Sequence, residues 1–240
     1  MVHESVLKAG SDYFKRAFAG EWQEVKNRQF TLVEEDPDTF SVFLHYLYYR
    51  SDLKIDLTPD DPDADDRAIE IVLVKLYCIG DRRGSPGFRN FVLDTLNSWY
   101  HLHRVIPSME ACSLAFSETP STSRLCQLLA DHWAWFGMVV VETLRGCEAL
   151  GETMHPDFAA AAFKALLNWT NKRRRIPYCG PDGSSNRHEC KHCRYNARAR
   201  DFTIPDISHA PFYKSFCESY HEHENGTMCL QPEEEKSQKD

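Results

Sequence analysis

Three thiols and two imidazoles crowd into fifteen positions, "CGPDGSSNRHECKHC", residues 179 to 193 of a 240-residue chain. Cys190-x-x-Cys193 supplies two thiolates at the spacing with which one turn grips a tetrahedral zinc ion. Cys179, eleven residues before Cys190 across a Gly-Pro-Asp-Gly turn, is a natural third ligand. A fourth has to return from a distance, and "FCESYHEHENGTMC", residues 216 to 229, offers Cys217, His221, His223 and Cys229. The surrounding basic residues would offset the thiolate charge. This set predicts one structural zinc ion, closed by protein ligands, that ties the tail together rather than catalysing. Two other readings stay open: a redox Cys-x-x-Cys, which would want a strand and a helix start around it, and bystander thiols with no shared role.

Other chemistry is sparse. The chain has no Gly-x-Ser-x-Gly, no phosphate-cradling Gly-x-x-x-x-Gly-Lys-Ser/Thr and no Gly-x-Gly-x-x-Gly after a strand. His-Glu-x-x-His is absent, and His221-Glu222-His223 has the wrong spacing for two ligands on one helix face. Glu34-Glu35 sits beside an expected strand, where solvation accounts for it. No enzyme is expected. The run Lys172, Arg173, Arg174 and Arg175 opens a stretch, residues 171 to 200, with nine Lys or Arg against two acids. It suits phosphate contacts or nuclear import, but equally a solvated helix end. Aromatic residues interleave poorly with these cations, which counts against nucleic-acid binding.

These residues need a scaffold, and the composition supplies one. Hydrophobic residues make up 42 % and charged residues 27 %, ordinary values for a globular chain with a real core. A net charge of −8 argues against a protein that coats nucleic acid or an anionic membrane with its whole surface. The apolar run "FGMVVV" at residues 136 to 141 is far too short to cross a bilayer, and no targeting segment is visible. Nine cysteines are an odd number and too few for a disulfide scaffold, so a reducing compartment, cytoplasm or nucleus, is expected. Cys78, Cys112, Cys126 and Cys147 fall in helical patterns and read as small buried hydrophobes.

Along the chain, Val2, Val6, Leu7, Phe14 and Phe18 recur at helical steps; Gly10-Ser11 breaks the run, with Ser11 placed to cap a second helix. "RQFTLVEE" alternates like a short half-buried strand. Asp36 caps and Pro37 opens a helix presenting Phe40, Phe43, Leu44, Leu47 and Tyr48 on one face. "TPDDPDADD", residues 58 to 66, reads as a solvated loop. Helices follow on Ile69, Val72, Leu73, Leu76 and Tyr77, then on "FRNFVLDTLNSWYHL", then through residues 107 to 172. There, Trp133, Phe136, Val140, Leu144, Phe163 and Leu167 form an apolar stripe that predicts docking on the preceding part. The division is 1–103, 107–172, a basic Cys/His-rich tail over 173–229, and a disordered 230–240.

Val2-His3 with Val6-Leu7, then Ser11, Tyr13 and Phe14, then Asp36-Pro37 with Phe40, then Leu44, Tyr46, Leu47 and Tyr48, resemble in order and spacing the middle of a BTB (POZ) domain. The resemblance covers residues 1 to about 103, and the whole chain resembles BTB proteins of filamentous fungi, in which a helical region and a Cys/His tail follow. It implies an α+β, predominantly α fold: a helical cluster on a small sheet, without the β-hairpin that normally precedes the Val-His segment. It also implies a protein–protein interaction module that self-associates or recruits partners, with homodimers and a cullin scaffold among them. In cullin-binding BTB proteins a hydrophobic-x-Glu triplet precedes the strand leading to Asp-Pro-x-x-Phe; here that triplet is Trp22-Gln23-Glu24. A large apolar side chain beside an acid suits an anchor with an orienting charge. The alternative is that Trp22 covers its own core. The second functional reading is a nuclear regulator whose basic Cys/His tail binds nucleic acid.

Overall fold

The computed structural model describes residues 2–20, 22–27, 29–33, 35–50, 55, 67–103, 105–144, 154–173 and 215–223, with the side chains of 136–144 and 169–173 left aside. Cys147, Cys179, Cys190, Cys193, Cys229, the acidic loop 58–66 and the terminal 230–240 lie outside these residues, as do the side chains of the Lys172–Arg175 run. Ten helices carry the described fold: α1 Glu4–Gly10, α2 Asp12–Ala17, α3 Gln23–Asn27, α4 Pro37–Tyr49, α5 Arg67–Arg82, α6 Pro86–His103, α7 Met109–Glu118, α8 Arg124–Leu144, α9 Pro156–Arg173 and α10 Phe216–Tyr220.

Local chemistry sets the early boundaries. Ser11 ends α1 in extended backbone, and its hydroxyl accepts the Phe14 N–H while donating to the Arg83 carbonyl. The Asp36 carboxylate accepts the Thr39 N–H at 2.8 Å and Pro37 fills the first turn of α4. Ser108 caps α7 through the Ala111 N–H. After α5, Gly84 adopts φ +56°, where a side chain would be strained, and its missing Cβ makes room for Asp12, whose N–H donates to the Gly84 carbonyl at 2.9 Å.

One core runs through the whole described fold. Phe14, Phe43, Tyr46 and Leu47 meet the buried faces of α5 and α6, and these continue into α7 and α8 through Tyr100, Cys112, Leu125, Cys126 and Leu128. Residues 107–144 therefore dock on the preceding part, and 154–173 pack on α7 and α8; of the stripe's described residues, Trp133 joins this core. Glu70 is satisfied at this seam: buried within α5, it accepts the Tyr100 hydroxyl at 2.6 Å and the Ser108 N–H at 3.0 Å. Trp133 donates its indole N–H to the Pro107 carbonyl at 2.8 Å.

Three expectations are corrected. No strand occurs among the described residues: 29–33 and Glu35 are irregular, so the small sheet has no support. Alternation marks which side chains face inward, but a ladder also needs a partner backbone. Phe30 instead packs edge-on against Phe18, ring centroids 4.9 Å apart, and against Phe14 at 6.1 Å. Second, Glu35 is not solvated. Its carboxylate is buried and grips Arg82 at 2.8 Å and Arg83 at 2.6 Å. Burial alone would raise its pKa; the hydrogen bonds and charges of the two arginines outweigh this and hold it below the usual value. Third, Phe163 and Leu167 are exposed, at 62 % and 50 %. Helix α9 buries Phe158 and Ala165, with Ala161, Ala162 and Leu166 packed beside them, because its alanines allow close approach. Val72 and Tyr48 likewise face outward. The Tyr48 hydroxyl accepts the His3 N–H at 2.9 Å and lies 2.8 Å from its Nδ1, a structural role for that histidine.

Candidate functional site

Two places hold the candidate residues. The first is α3. The Trp22 carbonyl accepts the N–H groups of Val25 and Lys26, both at 3.2 Å, and so starts this short helix. Gln23 reaches Asn27 at 3.3 Å on the outer face, and Glu24 is exposed. The indole lies over Gly20, where a Cβ would collide with it, yet Trp22 is 66 % exposed. Trp22 therefore does not cover the core; it stands in solvent two residues ahead of the exposed Glu24.

The second place is α10 and the three residues after it. Cys217 and His221 are four apart, on one helical face, and the His221 N–H donates to the Cys217 carbonyl at 3.1 Å. Helix α10 ends there: His221 turns to φ −84°, ψ 148°. Past this end the His221 and His223 rings lie near each other, centroids 5.8 Å apart. The objection that His-x-His cannot ligate from one helix face thus does not apply, because the helix has stopped. Cys217 Sγ lies 3.0 Å from His223 Nε2, and one ligand atom from each of Cys217, His221 and His223 falls within 4.8 Å of the others. His221 is buried, Cys217 and His223 half-buried. Of the seven predicted metal-ligating residues, these three are brought together; Cys179, Cys190, Cys193 and Cys229 lie outside the described residues. The trio is able to hold a metal ion.

This segment is fastened to the helical core. Tyr220 is fully buried and donates to Asp131 Oδ2 at 2.7 Å. Asn90 clasps the Glu222 backbone, donating to its carbonyl at 2.8 Å and accepting its N–H at 2.9 Å. Arg89 pairs with the Glu222 carboxylate, Arg124 donates to the Ser219 carbonyl at 3.2 Å, and His221 Nε2 lies 2.9 Å from Asp94 Oδ1. Asp94 carries nothing in the sequence that would tie it to residues more than a hundred positions away. Beside the segment, a cavity of about 590 Å³ is bounded by Lys8, Lys15, Arg50, Asp94, Glu222 and His223 among others.

The other thiols among the described residues are inert by environment. Burial pushes Cys78 up to about 12 and Cys112 well above its ordinary value, and raises Cys126. Among the described residues, no helix is long and apolar enough to cross a membrane.

Comparison with known proteins agrees with the order of the N-terminal motifs. No curated protein matches the chain, and no solved structure matches it. The family model of the BTB/POZ domain matches residues 1–64, the stretch that contains α1 to α4 and the Trp22-Gln23-Glu24 triplet. Residues 1–64 are thus similar to a BTB/POZ domain, a match that supports a protein–protein interaction module in this part of the chain.

Proposed function

We propose that this module recruits a partner through Trp22, Gln23 and Glu24 and acts as a substrate adaptor of a cullin-based ubiquitin ligase, without catalysing a reaction itself. The observation that carries the reading is Trp22: a 66 % exposed indole two residues before the exposed Glu24, within the BTB/POZ match. An exposed tryptophan that fills no core of its own has the character of an anchor residue at an interface. Self-association is part of the proposal, as is a cytoplasmic or nuclear setting, which the free, buried Cys78, Cys112 and Cys126 favour. We also propose one structural zinc per chain. The gathered Cys217, His221 and His223 support it, with Cys179, Cys190, Cys193 and Cys229 as the other candidate ligands.

The test is affinity purification from extract with the wild-type chain and the Trp22→Ala/Glu24→Ala variant, read by quantitative mass spectrometry. A cullin enriched by the wild type and lost from a variant with unchanged circular dichroism supports the reading. Equal enrichment by both, or no cullin in either, overturns it.

A further inference from the structure

We infer that Cys217, His221 and His223 form a self-sufficient site for a zinc-class divalent ion, already assembled before the metal arrives and positioned by Asp94. This rests on the zinc reading above and narrows it: the ion belongs to the segment docked on α6 and α8, and the Cys190-x-x-Cys193 pair is dispensable. One sulfur and two imidazole nitrogens form a borderline-soft donor set, which suits zinc or cobalt and not magnesium or calcium. In a tetrahedral site the sulfur and nitrogen ligands stand roughly 3.5 Å apart. Cys217 Sγ and His223 Nε2 are 3.0 Å apart, and one ligand atom from each of the three residues lies within 4.8 Å of the others, close to that spacing. Metal entry releases the Cys217 proton and replaces the thiol–imidazole contact.

The scaffold does not depend on the ion. Tyr220 on Asp131, Asn90 on the Glu222 backbone, Arg89 on the Glu222 carboxylate and Arg124 on the Ser219 carbonyl hold both sides of the trio. A zinc finger, by contrast, has no such contacts until metal binds. Asp94 completes the arrangement. His221 Nε2 lies 2.9 Å from Asp94 Oδ1, and a carboxylate beside a ligating imidazole tunes its orientation and basicity. Asp94 is thus a positioning residue that touches no metal.

Cobalt(II) titration of the metal-stripped full chain, followed by thiolate-to-cobalt absorption, tests this, with zinc content measured in parallel. The Cys190→Ser/Cys193→Ser variant is expected to keep one ion and its thiolate band. Cys217→Ser/His223→Gln is expected to lose that ion, and His223→Gln alone to keep the fold and weaken binding. Asp94→Asn should lower affinity by roughly 10- to 100-fold with the band in place. Amide exchange at Ser219, His221 and Glu222 should be slow with chelator and with zinc alike. An ion that persists in Cys217→Ser/His223→Gln but leaves Cys190→Ser/Cys193→Ser overturns the inference while sparing the zinc reading. Loss from both double variants makes the site a shared one and overturns its self-sufficiency. A segment protected only with zinc overturns the pre-assembly, unchanged affinity in Asp94→Asn overturns the positioning role, and a chain that takes no ion overturns both readings.

Discussion

Tyr220→Phe removes one oxygen atom from the point where the C-terminal segment meets the core. The ring keeps its packing against Phe216, whose centroid is 4.9 Å away, but the donor to Asp131 at 2.7 Å is lost. Burial, with the neighbouring Asp131 charge, holds the Tyr220 phenol far above its ordinary pKa, so it remains a donor at every pH the fold survives. Taking a donor from a buried carboxylate costs about 1–3 kcal/mol. If the segment opens without the rest of the fold, this cost appears as local opening before global unfolding. The assay is native-state hydrogen exchange on three amides: Ser219 to the Ser215 carbonyl, His221 to the Cys217 carbonyl and Glu222 to Asn90 Oδ1. Their exchange should accelerate roughly five- to 150-fold. Core amides of α5 and α6, which open only on global unfolding, should be nearly unchanged. Equal exchange in wild type and variant, or acceleration spread evenly over α5 and α6, would refute the idea of a separately docked segment.

Other outcomes follow from the buried charges and thiols. Glu35→Gln leaves the largely buried Arg83 without its carboxylate and should cost about 3 kcal/mol, lowering Tm by roughly 6–12 °C. Because the folded Glu35 pKa is lowered, its contribution is complete above the ordinary carboxylate value and lost as pH falls through the folded one. The gap between wild type and Glu35→Gln should therefore close in acid, and a constant gap in urea unfolding at successive pH values would contradict the ion-pair account. His132 is fully buried and held neutral down to about 3, so between about pH 6.5 and that value the unfolded chain binds a proton the native one does not. Stability should fall on acidification by about 1.4 kcal/mol per pH unit from this group, and His132→Leu should flatten the profile. In metal-stripped folded protein, iodoacetamide should modify Cys217 while sparing Cys78, Cys112 and Cys126; mass mapping that finds those three alkylated first would refute their burial.

Features set by neighbouring residues were legible in the sequence. Ser11 and Asp36 are short polar side chains ahead of apolar helical runs, and both accept the N–H three residues on. The N-terminal motifs were legible for the same reason, since their order and spacing survive without coordinates. The strand at "RQFTLVEE" was misread because the alternation of Phe30 and Leu32 encodes which side faces inward and says nothing of a partner backbone. Nothing local to Glu35 marks it as buried, because its partners lie 47 and 48 positions away, at and just past the end of α5. The metal trio was half legible: Cys217, His221 and His223 were named as ligands by type. What makes them converge is the end of α10 at Tyr220, which is set by contacts to Asn90 and Asp131 at the far side of the chain.

The claim that residues 1–64 form a partner-recruiting module anchored by Trp22 is tested most directly by binding between two purified proteins. The full chain, immobilised, is titrated with the N-terminal helical region of a cullin, for the wild type and for Trp22→Ala. The account predicts saturable binding by the wild type and a loss of about 2 kcal/mol or more, roughly thirtyfold in Kd, in the variant. No binding by the wild type, or equal Kd values for the two proteins, would contradict it.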